Sequence, residues 1–108
     1  MRIMFLLSLF ISTNIYAGNQ SGTVDYIIVR ASDGLTYFTI KGGEIVDNPP
    51  CATQGYWMIK NENSNSGKMQ YSMILSAQAS GKTINVTGMN TCTRWGDGED
   101  VNFIQIKN

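Results

Sequence analysis

Residues 23–41 read TVDYIIVRASDGLTYFTIK, and their pattern decides the fold. Thr23 to Arg30 concentrates β-branched and aromatic side chains, which is the composition of a strand. Ser32-Asp33-Gly34 tolerates the backbone angles of a tight reversal. Thr36 to Lys41 is then a second strand, with Tyr37, Thr39 and Lys41 on one face and Phe38 and Ile40 on the other. A hairpin follows.

Beyond the hairpin, Gly42-Gly43 and Asp47-Asn48-Pro49-Pro50 bracket a loop, because proline cannot donate to a ladder. Tyr56 to Lys60 (YWMIK) is a third strand with Trp57 in the core. Asn61 to Gly67 is polar and ends in helix-start residues, with Asn65 or Ser66 as the N-cap. Lys68 to Ser80 is the one good helix. Its buried stripe is Met69, Met73, Ile74 and Ala77, and Gly81 stands where a left-handed cap belongs. The other side carries Gln70, Ser72, Ser76, Gln78 and Ala79 and no charge. Two readings fit that face: a contact with neighbouring subunits or a channel, or a serine-rich solvent face. Thr83 to Val86 and Val101 to Lys107 complete the strands. The order β-β-β-α-β-β, with no parallel βαβ repeat, predicts a mainly β fold with one helix. The architecture expected is a small antiparallel Greek-key barrel of the OB type.

Upstream, Arg2 precedes the apolar run Met4 to Ile11, and Ile15-Tyr16-Ala17 ends on a small residue. This is the layout of a secretory signal, with cleavage expected after Ala17. The run is too short to span a bilayer, so no membrane insertion is expected. The expected products are a signal peptide, 1–17, and one domain, 18–108, secreted or periplasmic. So small a domain gains from a covalent staple. Cys51 and Cys92 are the only cysteines, and in an oxidising compartment their natural state is a disulfide.

Without Arg2 the chain has seven basic and eight acidic residues and no basic run, which argues against nucleic acid as a partner. Histidine is absent, so the commonest general base and zinc ligand are missing and no enzyme is expected. No cofactor is expected either. Gly81-Lys82-Thr83 resembles the end of a phosphate loop, but the helix precedes it and Ser76 replaces the first glycine. Asp97-Gly98-Glu99-Asp100 is read as a turn between strands; neither a calcium loop nor a glycosidase carboxylate pair suits it.

Trp95, in the loop Cys92-Thr93-Arg94-Trp95-Gly96-Asp97, has two open readings. It stacks on a sugar ring, or it caps the core beside Cys92. On the first reading Arg94 and Asp97 are further sugar contacts, and the planar fork of Arg94 suits the carboxylate of a sialic acid.

Several of these segments together resemble a known family. Val29 to Lys41 (VRASDGLTYFTIK), Cys51-Ala52, Trp57 and the helix running into Gly81 are similar to the binding subunits of subtilase-cytotoxin-type and typhoid-toxin-type bacterial toxins. Those subunits also join a signal peptide, a YF-x-IK strand, a CA…W segment and a helix followed by a Gly-led strand. The resemblance implies a homopentameric virulence protein with the barrel fold. Its partners would be host-cell glycans, sialylated or related, and a toxic A subunit. Thr39 stands where the family has a cysteine. Ser21, just before the first strand, stands for the family's sugar-binding serine, without its neighbouring tyrosines. The alternative is a stand-alone periplasmic or secreted domain that binds or inhibits another protein.

Overall fold

A computed structural model describes residues 17–108. The signal peptide expected over 1–17 therefore lies outside the described residues, except for Ala17. Strand β1 (Asn19–Val29) leads into β2 (Thr36–Lys41) and β3 (Tyr56–Met58). Helix α1 (Asn65–Ser80) follows, then β4 (Ile84–Gly88) and β5 (Glu99–Ile106). This is the expected β-β-β-α-β-β order, and the strands close into a five-stranded barrel of the OB type.

Strand pairing runs β1-β2-β3-β5-β4 and back to β1. Four junctions are antiparallel, but β3 and β5 pair in parallel, Trp57 beside Glu99 and Met58 beside Asp100. The all-antiparallel expectation is corrected here for a topological reason. Strand directions cannot alternate around a ring with an odd number of members, so one junction must be parallel.

The 23–41 hairpin forms as read. Ile28 faces Tyr37 and Val29 faces Thr36. The turn is closed by the Arg30 N–H donating to the Leu35 carbonyl at 2.8 Å and by the Leu35 N–H donating to the Asp33 carboxylate at 3.1 Å. Strand β1 begins earlier than expected, because residues 19–22 pair with β4 before residues 23–29 pair with β2. A register shift between Val24 and Ile27 lets one strand serve both neighbours, since an irregularity there turns the strand. Ser21 therefore lies within β1 and not ahead of it.

The barrel is filled by Phe38, Ile40, Trp57, Ile84, Val86, Val101 and Ile104, and α1 closes one end with Ile74 and Ala77. Each buried valine, isoleucine or phenylalanine among them contributes about 1.5–3 kcal/mol through its removal from water. Gln20 is a polar member of the interior. Its amide accepts from the Trp57 indole at 2.8 Å and donates to the carbonyls of Ile40 (3.2 Å) and Gly43 (2.8 Å), so the polar groups it meets are paired.

The helix starts a turn earlier than read. Its N-cap is Ser64, whose hydroxyl accepts from the Gly67 N–H at 3.0 Å. Gly81 at φ 68° ends it in the left-handed cap. Met69, expected in the buried stripe, is exposed; Gly67 is the buried residue of that turn, because its missing side chain lets the backbone press against Asn61.

The Asp97–Asp100 segment is also corrected. Glu99 and Asp100 begin β5 and are buried. For Asp100 burial is tolerable because it meets donors. Asp100 accepts from the hydroxyls of Thr91 and Thr93 (2.7 and 2.6 Å) and the backbone N–H groups of Thr93 and Arg94 (3.0 and 3.2 Å). Burial alone would push its carboxyl up, but these four bonds outweigh it and hold the group below the usual carboxylate range.

Candidate functional site

The loop 89–98 between β4 and β5 folds over the outer wall of β2 and β3, and it is fastened at two places. One is the Cys51–Cys92 disulfide, with Cα atoms 6.1 Å apart, which ties it to the β2–β3 loop. The other is the set of bonds around Asp100. So fastened, the loop lays Trp95 on two tyrosines. Alternation in β2 points Tyr37 outward opposite Phe38, and alternation in β3 points Tyr56 outward opposite Trp57. Tyr37 pairs with Met58 and Thr39 with Tyr56, so the two tyrosines are diagonal neighbours on one face. Their ring centres are 4.9 Å apart. Trp95 stands 5.5 Å from both and nearly parallel to Tyr56, at 17°.

These contacts place Trp95 on the outer wall of the barrel. It does not cap the core; Trp57 is the core tryptophan, and Trp95 sits on the outside with 36% of its surface exposed. Asp97 lies at the same shelf and accepts the Tyr56 hydroxyl. Burial, together with that carboxylate, pushes the Tyr56 phenol well above its ordinary range, so it stays a donor at all physiological pH.

Arg30 adds a cation. Its guanidinium lies over Trp95, 5.4 Å from the ring centre, and is held by Asp33 through two bonds of 2.9 and 2.7 Å. Arg94 points elsewhere. Its fork grips Glu62 at 3.1 and 2.8 Å and the Asp33 carbonyl at 3.2 Å. Arg94 in turn holds the Glu62 carboxyl below its usual range. The two arginines differ in how easily they exchange partners. Side chains of the Arg30–Asp33 pair are 44% and 39% exposed, against 22% and 17% for Arg94 and Glu62. Exposed pairs are worth little, so a ligand carboxylate displaces Asp33 from Arg30 more cheaply than Glu62 from Arg94.

Of the residues singled out from sequence, Trp95 and Asp97 come together. Arg94 is beside them in sequence but is committed to Glu62. Ser21 is exposed and opposite Asn85 on the β1–β4 side of the barrel. Seven residues separate it along β1 from Ile28, the partner of Tyr37, or about 23 Å at 3.3 Å per residue. It belongs to a different surface. Tyr37, Tyr56 and Arg30 were not singled out. The alternation of TYFTIK already placed Tyr37 outward, but its meeting with Tyr56 depends on the β2–β3 register.

An open groove of about 680 Å³ lies between the start of α1 and β5, lined by residues including Lys60, Ser64, Gln70 and Asn102. It has hydroxyls and amides but no aromatic ring, so it lacks a stacking surface. Among the described residues, no group of histidine, cysteine, aspartate and glutamate side chains is arranged to hold a metal ion. No helix of the described residues is long and apolar enough to cross a membrane. No family model, no curated protein and no solved structure matches this chain.

Proposed function

We propose that this chain is a secreted, oligomeric, non-enzymatic module that binds glycans, in the manner of the toxin binding subunits it resembles. The observation that carries the reading is the shelf of Tyr37, Tyr56 and Trp95 flanked by Asp97 and Arg30. Sugars offer a flat apolar ring face for stacking and hydroxyls that seek fixed donors and acceptors. A partly exposed indole backed by a tyrosine supplies the first. Asp97 supplies an acceptor, and Arg30 a cation for a sialic acid carboxylate.

Oligomerisation is supported by apolar and uncharged surface. Tyr26, Ile28 and Val29 on β1, Phe103 on β5, and Met69 and Leu75 on α1 are all exposed. Single-site affinity for a sugar is expected to be weak, and copies on one face of a ring would supply avidity. The resemblance adds a toxic A subunit as a partner of the ring.

The test is a glycan array on the assembled protein with two variants. Trp95→Ala is expected to abolish the signal with a melting temperature within a few degrees of wild type, while Ser21→Ala keeps it. Loss in Ser21→Ala alone would move the site to the β1–β4 surface.

One observation favours the second reading, a stand-alone protein-binding or inhibitor domain. Beyond Gly22 the β4-facing edge of β1 has no strand partner among the described residues, and such an edge can accept a strand from another protein. A blank array on a monomeric protein would put that reading first.

A further inference from the structure

Glu99 is only 2% exposed, and its carboxylate is half-satisfied. Oε2 accepts the N–H of Gly18 at 3.0 Å and that of Asn90 at 3.0 Å. Oε1 has no hydrogen-bond partner. Nor does a cation face it: the ion pairs among the described residues join Arg30 and Arg94 to Asp33 and Glu62. A buried carboxylate with neither a counter-charge nor a full set of donors is expensive, and its surroundings should supply both.

The cradle is built around a bare backbone. A Cβ added at Gly88 would lie 1.8 Å from Oε2, and one at Gly18 would lie 2.2 Å from Oε1. The nitrogen of Gly18 is thus the group aimed at the carboxylate. Gly18 is itself buried, and its carbonyl is fixed by the Gly88 N–H at 2.9 Å. It is also the first residue after the cleavage point that the sequence predicts.

We propose that hydrolysis of the Ala17–Gly18 bond completes this site, and that the α-ammonium of Gly18 is the counter-ion of Glu99. Water adds across the amide. Ala17 leaves with a carboxylate, and the nitrogen of Gly18 stays on the barrel as an ammonium. Before cleavage that nitrogen is a neutral amide with one hydrogen, already given to Oε2. After cleavage it carries a full positive charge and two further hydrogens, one of which can turn to Oε1. The barrel is therefore locked by its own processing. Position 18 must be glycine, because any side chain would occupy the space of the carboxylate. The proposal rests on export with cleavage after Ala17, and it is independent of sugar binding.

The experiment compares two chains, one starting at Gly18, released from a fusion by a protease that leaves glycine first, and one starting at Ala17. Each is made as wild type and as Glu99→Gln. The Gly18 chain is expected to melt about 5 °C or more above the Ala17 chain, a readily measured shift for a domain this size. In Glu99→Gln the difference should collapse. In the same wild-type Gly18 chain, the α-amine should resist carbamylation by cyanate when folded and react when unfolded. That arm needs no variant and decides the matter even if Glu99→Gln does not fold. Equal melting of the two wild-type chains, an undiminished difference in Glu99→Gln, or an α-amine equally reactive in both states overturns the proposal. So does an exported protein whose N-terminal mass shows a first residue other than Gly18.

Discussion

Gln20 brings one carbonyl oxygen and two amide hydrogens into the barrel, and the barrel offers three partners. Replacing it with leucine keeps the volume but leaves the Trp57 indole and two carbonyls facing an apolar side chain. Each orphaned group costs about 1–3 kcal/mol, so Gln20→Leu should lower the melting temperature by at least about 10 °C, measurable by calorimetry. Asp100 makes a pH prediction. Its carboxyl is held below the ordinary range in the folded protein, so it binds a proton less readily there than in the unfolded chain. The stability it contributes is present above the unfolded value of about 3.9 and is lost as pH falls through the folded one. Thermal midpoints from pH 6 downward should therefore fall below about pH 4, and less steeply in Asp100→Asn. At neutral pH that variant should already be less stable by about 1–3 kcal/mol, because the amide offers fewer acceptor sites. None of this could be read from the string DGED. Whether a carboxylate lies in a turn or a buried strand depends on donors that arrive from elsewhere, here Gly18, Asn90, Thr91 and Thr93.

At the scale of elements, the strands and the helix were legible because their signals are local. Alternation marked β2, β-branched residues marked β1, and Gly81 marked the helix end. Boundaries moved where a partner extended or shortened an element. Pairing with β4 lengthened β1, and contact with β3 drew Glu99 and Asp100 into β5. The loop 89–98 had no such local signal, and its position depends on fastenings. Cys51→Ser removes one of them, opening a cross-link between residues 41 positions apart. On the chain-entropy model this costs about 4 kcal/mol, so the melting temperature should fall by more than 10 °C, and Trp95 should become more exposed to a fluorescence quencher. On α1, Gln70 and Gln78 are tied to the barrel through Asn102 and Asp25, which leaves Met69, Ser72, Ser76 and Ala79 outward. If this stripe meets neighbouring subunits, Ser76→Glu gathers like charges around the ring. Light scattering should then report a smaller, still folded species, and an unchanged mass would remove α1 from the interface.

At the scale of the whole molecule, the barrel keeps one tryptophan inside and holds the other on its outer wall. Trp57 is sealed in the core and bonded to Gln20, while Trp95 lies on Tyr56 at the surface. The fold was legible from residue pattern alone. The shelf was legible only in part: Trp95 and Asp97 stood out as loop residues, but Tyr37, Tyr56 and Arg30 are brought to them by strand register and by the β1–β2 turn. The two tryptophans allow a direct test. Their indole N–H groups give two separate resonances in a nitrogen-correlated NMR spectrum of uniformly labelled protein. On titration with the strongest glycan from an array, the Trp95 signal is expected to shift saturably while the Trp57 signal stays in place. A bound glycan that leaves the Trp95 signal unmoved would contradict binding at the shelf.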